Sequence, residues 1–68
     1  MTTYNTFDAI LQNGESKQDA LDCARGMVWS ECELQEQEIH WACYVDTVNS
    51  IEVYYDFGAD YYFFCPAD

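Results

Sequence analysis

The first residues to weigh for chemistry are His40 and Cys43, because a thiol beside an imidazole is the simplest nucleophile–base pair. Both fall in IHWACYVD, residues 39–46, where apolar and other residues alternate as in a strand. Side chains three positions apart on a strand leave opposite faces, so the two diverge, and no second histidine can supply the base. The four cysteines, Cys23, Cys32, Cys43 and Cys65, are separated by eight, ten and twenty-one residues, so none forms the close pair on which a zinc site is built. Glu31, Glu33, Glu36 and Glu38 crowd one segment but lack the D-x-D-x-D-G turn that wraps a chain around calcium. Gly14, Gly26 and Gly58 are scattered, so no phosphate-cradling loop is written into the chain. Paired carboxylates for hydrolysis need a pocket that raises one pKa, which a chain of 68 residues rarely encloses. No catalytic residue, metal ligand or cofactor is expected.

What remains is IEVYYDFGADYYFF, residues 51–64, in which Tyr and Phe are threaded with Glu52, Asp56 and Asp60 and with no Lys or Arg. Aromatics interleaved with charge suit nucleic-acid binding when the charge is positive. Here the sign is reversed, and the reversal runs through the chain. Thirteen Asp and Glu face two basic residues, Lys17 and Arg25, for a formal net charge of −11 and a pI near 4.1. From Gly26 to Asp68 there are nine carboxylates and no basic residue. Such a body repels DNA, RNA and anionic membranes, so its partners should be basic. Half the residues are hydrophobic and 18% are aromatic, enough for a folded chain despite the charge. The length fits one domain spanning 1–68 with a small core, expected to be a monomer. MTTYNTFDAI carries neither the basic nor the apolar region of a signal peptide, which leads to the expectation of a cytoplasmic protein whose cysteines are reduced, small buried hydrophobes.

The elements that must position these residues divide near residue 37. Tyr4, Phe7, Ile10 and Leu11 follow helical spacing with Asn13-Gly14 as a stop, which favours a helix over 3–11; a strand is the alternative, because Thr, Tyr and Phe prefer it. Ser16 then caps a second helix with Asp19 in its first turn and Ala20, Leu21, Ala24, Met27 and Val28 as its apolar stripe. SECELQEQE, residues 30–38, reads as an acidic connector or a frayed last turn. From Ile39 the period changes to two. Ile39, Trp41, Cys43 and Val45 form one set, and Ile51, Val53, Tyr55 and Phe57 its hairpin partner. A two-residue Asn49-Ser50 loop would set Asp46 against Val53, whereas a three-residue loop from Val48 to Ser50 pairs Val45 with Val53, Cys43 with Tyr55 and Trp41 with Phe57. The second register keeps the apolar groups together and is the one expected. Phe57-Gly58-Ala59-Asp60 turns the chain into a third strand, 61–65, ended by Pro66. The sum is an α+β fold: one or two N-terminal helices packed on one face of a three-stranded antiparallel meander. The other face would carry Tyr44, Asp46, Glu52, Tyr54 and Asp56 into solvent.

The amount of charge bears on function. A compact chain of this length has a radius of gyration of about 11 Å and spans about 28 Å, over which duplex DNA carries about 16 phosphates. Solubility is served by a net charge of about 2 to 8 on a small domain. In size, charge and layout, in the basic-free run from Gly26 to Asp68, and in the IEVYYDF and ADYYFF segments, the chain resembles the small acidic inhibitors encoded by phages and mobile elements, above all the anti-CRISPR proteins, several of which are DNA mimics. The resemblance implies an inhibitor that occupies the DNA-binding surface of a CRISPR effector, first a type I surveillance complex, in the host cytoplasm; restriction enzymes and uracil-DNA glycosylase are further targets of such mimics. On the residues themselves, Asp46, Glu52, Asp56 and Asp60 are the candidate contacts, with Tyr44 and Tyr54 as anchors and Glu31, Glu33, Glu36 and Glu38 in support. The rival expectation is a small interaction module that uses apolar or edge contacts on strand 61–65.

Overall fold

The computed structural model describes residues 2–12 and 16–67. The chain is α+β, with β1 (Thr2–Phe7), α1 (Lys17–Gly26), a single 3-10 turn (Trp29–Glu31), β2 (Leu34–Ile39), β3 (Ala42–Val48), β4 (Ile51–Asp56) and β5 (Tyr61–Pro66). The meander is present as the antiparallel sheet β3-β4-β5, and β1 and β2 form a second, two-stranded antiparallel sheet.

The expected first helix is instead β1, paired with β2 so that Thr2 faces Ile39, Tyr4 faces Gln37 and Thr6 faces Gln35. Of these, Thr6 and Ile39 are buried and Tyr4 and Gln37 half-buried, whereas Thr2 and Gln35, with Thr3, Asn5, Glu36 and Glu38, are exposed. The apolar spacing of Tyr4 and Phe7 fits a helix equally well; β-branched Thr2, Thr3 and Thr6 and the availability of a partner strand decide for the sheet. Residues 34–38 of the expected connector are that partner. Asn13-Gly14, the proposed helix stop, lies outside the described residues.

The second helix forms as its cap requires. Ser16 Oγ accepts the Asp19 N–H at 3.1 Å and Asp19 Oδ2 accepts the Ser16 N–H at 3.3 Å, a closed capping box. Ala20, Leu21 and Ala24 are buried against Ile51, Val53 and Phe64, with Phe7 reaching into the same cluster. The opposite face of the sheet holds a second cluster of Ile39, Phe63 and Cys65, with Tyr4, Ile10 and Tyr54 packed on it. The sheet is therefore covered on both faces, by α1 on one and by the β1–β2 ribbon on the other. The face expected to meet solvent is largely an interior surface.

The β3–β4 hairpin combines the two registers weighed from sequence. Its loop is the two-residue Asn49-Ser50, both with positive φ (56° and 60°), and Asp46 does sit opposite Val53. A bulge between Tyr44 and Asp46 then restores Cys43 opposite Tyr55. The extra residue of the bulge, Val45, packs half-buried on the helix-side core, and Asp46 remains exposed. The bulge thus resolves the conflict that had argued against the short loop. In the β4–β5 turn the residue with positive φ is Asp60 (60°), not Gly58. Gly58 is needed for space: a Cβ there would overlap His40, with the imidazole Cγ 2.9 Å away.

Candidate functional site

Asp56 was expected on the outer face; it is fully buried. One carboxylate oxygen accepts the N–H groups of Trp41 (3.0 Å), Gly58 (2.9 Å) and Ala59 (3.4 Å), and the other accepts that of His40 at 3.1 Å. Burial alone would push this carboxyl up, but the N–H groups of Trp41, His40, Gly58 and Ala59 outweigh it and hold the carboxyl below its ordinary value. Asp56 fastens the β2–β3 connection to the β4–β5 turn and is withdrawn from any contact surface. His40 is exposed, its Nδ1 3.7 Å from Asp56 Oδ2, and Cys43 lies exposed on β3.

Glu52, Tyr54 and Tyr44 come together on the ribbon side of the sheet. Tyr54 is half-buried, stacked on Phe63 at 5.2 Å with an interplanar angle of 13°, and its hydroxyl donates to Glu52 Oε1 at 3.1 Å. Burial and the bond to Glu52 push its hydroxyl up to about 12. Tyr44 meets the edge of Tyr54 at 5.7 Å and is exposed, its hydroxyl 2.6 Å from Thr47 Oγ1. Of the two proposed anchors only Tyr44 is open; Tyr54 belongs mainly to the core.

The remaining acids are open but spread. Glu36 and Glu38 stand on the outer face of β2, two residues apart and so about 7 Å from each other. Glu31 lies in the 3-10 turn and Glu33 precedes β2, its carbonyl accepting the Asp8 N–H at 3.1 Å. Asp46 lies on the edge strand and accepts the Thr47 N–H, whereas Asp60 in the β4–β5 turn accepts the hydroxyl of Tyr55. The proposed contacts therefore divide into a β2 group and two single carboxylates, rather than one sheet face.

The four thiols are free: Cys43 exposed, Cys23 and Cys32 half-buried and Cys65 buried. Burial, then the nearby Glu52, pushes the Cys65 thiol up to about 11; burial, then Cys32, raises that of Cys23. Among the described residues no three His, Cys, Asp or Glu side chains gather as a metal site.

Sequence reasoning missed the openness of four core candidates. Trp41 is 71% and Phe57 64% exposed, Val28 of the expected helix stripe is 55% exposed, and Cys43 is exposed on β3. The reason is the length of α1, which ends at Gly26 rather than running on to Val28. A helix of ten residues spans about 15 Å and the strand run 51–57 about 23 Å, so α1 cannot cover it end to end. Comparison with family models, curated proteins and solved structures returns no match.

Proposed function

We propose that the chain is a stoichiometric inhibitor that occupies the basic DNA-binding surface of an enzyme or effector complex, its carboxylates standing in for phosphates. One observation carries this reading. Of the eleven carboxylates on described residues nine are exposed, with Glu52 half-buried and Asp56 buried. Glu15 and Asp68 lie outside the described residues, so setting Lys17 and Arg25 against these eleven leaves a net charge of −9. Spread along the 27 Å long axis, that is one charge per about 3 Å, roughly half the density of duplex DNA (one per about 1.7 Å) and close to that of one of its strands. Arg25 cancels one of these charges locally, because it is paired with Asp22 at 2.6 Å, and leaves the carboxylates beyond α1 without a basic neighbour in sequence.

A groove evolved for phosphates attracts such a body and releases its own bound anions, and guanidinium groups in it can pair bidentately with carboxylates. A CRISPR effector, first a type I surveillance complex at its duplex-binding surface, is the target that the resemblance to anti-CRISPR proteins suggests. Glu36 and Glu38 replace Asp56 at the centre of the contact, with Glu31 and Glu33 next to them in the chain and Asp46 and Asp60 as separate, outlying carboxylates.

The test is competition. Immobilised chain is exposed to host lysate, and the captured protein is challenged with duplex DNA and with salt. Release by duplex DNA, and loss of capture by the E36K/E38K variant, are expected. A captured protein that duplex DNA does not displace, or that the double variant holds as well, overturns the reading.

A further inference from the structure

α1 covers only half of the sheet face on which it packs. Asn49 Nδ2 donates to the carbonyls of Ala24 (3.1 Å) and Met27 (2.8 Å), which ties the end of the helix to the β3–β4 turn. Ile51 and Val53, nearest that turn, are completely buried. Farther along β4 the same face carries Tyr55 and then Phe57. Cys43 and Tyr62 flank Tyr55 in register, and the Phe57 N–H donates to the Trp41 carbonyl at 3.1 Å.

Three of the rings are continuous. Tyr55 meets Phe57 edge-on at 5.1 Å and Tyr62 at 4.9 Å. Exposed Trp41 joins them through its backbone pairing with Phe57 rather than by ring contact. Two large apolar side chains this open, joined to two half-buried tyrosines, form the kind of patch that marks a contact site. Its border is acidic: Asp60 takes the Tyr55 hydroxyl, a bond that with burial pushes that hydroxyl up to about 12, and Asp46 lies up the ladder on β3.

Charge decides what can cover it. A second copy would bring −11 against −11, and nucleic acid or an anionic membrane is repelled in the same way. The occupant must be cationic and able to lie flat on aromatic faces. Arginine meets both conditions, because its planar guanidinium is weakly hydrated and stacks on rings, whereas the lysine ammonium is compact and strongly hydrated. We propose that the strip Trp41–Phe57–Tyr55–Tyr62 seats arginine side chains of a basic protein partner, with Asp60 at its edge taking guanidinium N–H groups. The proposal rests on the charge-complementary reading above and adds to it a demand for arginine over positive charge in general.

Nonaarginine and nonalysine peptides carry equal charge and separate the two ideas. By titration calorimetry at low salt, the wild-type chain should bind nonaarginine about tenfold more tightly than nonalysine. The W41A/F57A variant should lose that preference to within about twofold while keeping its affinity for nonalysine. Both side chains are mostly exposed, and an unchanged far-UV circular dichroism spectrum verifies that the variant is folded. The E36Q/E38Q variant should weaken both peptides alike. Equal binding of the two peptides by the wild type, or an arginine preference that survives in W41A/F57A, overturns the strip proposal and leaves the charge reading standing. If neither peptide binds, both fall.

Discussion

Asp56 spends both carboxylate oxygens on four backbone N–H groups from two separate turns, and no neutral side chain can match that. Asp56→Asn should destabilise the protein by about 3 kcal/mol, since its amide presents a donor to donors. The pH dependence has a definite sign. The folded carboxyl lies below its ordinary value, so its stabilisation is fully present above the unfolded carboxyl pKa of about 3.9 and is lost as pH falls through the folded value. Urea melts of wild type and Asp56→Asn should differ by a constant amount from neutral pH down to about pH 5 and converge below about pH 4; a gap that widens in acid contradicts the assignment. The thiols give a second residue-scale expectation. Exposed Cys43 should react with iodoacetamide in the native protein, while Cys65, buried and pushed up to about 11, should stay unmodified until denaturant is added. Peptide mapping by mass spectrometry reads the order directly.

At the scale of elements, the hairpin carries a strain that its sequence does not relieve. Asn49 tolerates positive φ and also caps the helix, but Ser50 at φ 60° has a Cβ that this region penalises. Ser50→Gly should raise the urea midpoint by an amount equivalent to about 0.5–1 kcal/mol with an unchanged slope, whereas Gly58→Ala should lower it because its Cβ runs into His40. The elements also explain which parts of the fold were legible. α1 announced itself through Ser16 and Asp19, whose capping interactions are local, and β4 through an alternation that burial on both faces only deepened. β2 was hidden: four of its six residues are Gln or Glu, and Ile39 is its only buried side chain. Without β2, β1 had no partner and its apolar spacing passed for a helix turn. Strand 61–65, the edge assigned to a rival partner, is met on its outer side by a Leu11–Tyr62 bridge.

At the scale of the whole molecule, a charge of −11 on a body 27 × 24 × 17 Å opposes its own compaction. Raising sodium chloride from about 0.05 M to about 0.5 M shortens the screening length from more than 10 Å to only a few ångströms, and should therefore raise the melting temperature. The same salt should weaken partner binding steeply, since that attraction uses the same charges in the opposite sense. E36K/E38K, two reversals of two units each, moves the net charge from −11 to −7 at exposed positions; it should keep or improve stability and reduce partner affinity by about tenfold or more. A variant that binds as well as the parent removes the β2 carboxylates from the contact.

Composition and local pattern alone determined the acidity, the absence of basic residues after Arg25, the capped helix and the three-stranded meander, because each depends on residue type or on neighbours a few positions away. Only the tertiary structure decided which aromatics and acids face water. That choice turns on what lies across the sheet: the β1–β2 ribbon buries the side that carries Tyr54 and Asp56, and a helix too short for the sheet leaves Trp41 and Phe57 in solvent. Both are contacts between segments far apart in the chain, and alternation within a strand says that two faces differ without saying which one will be covered.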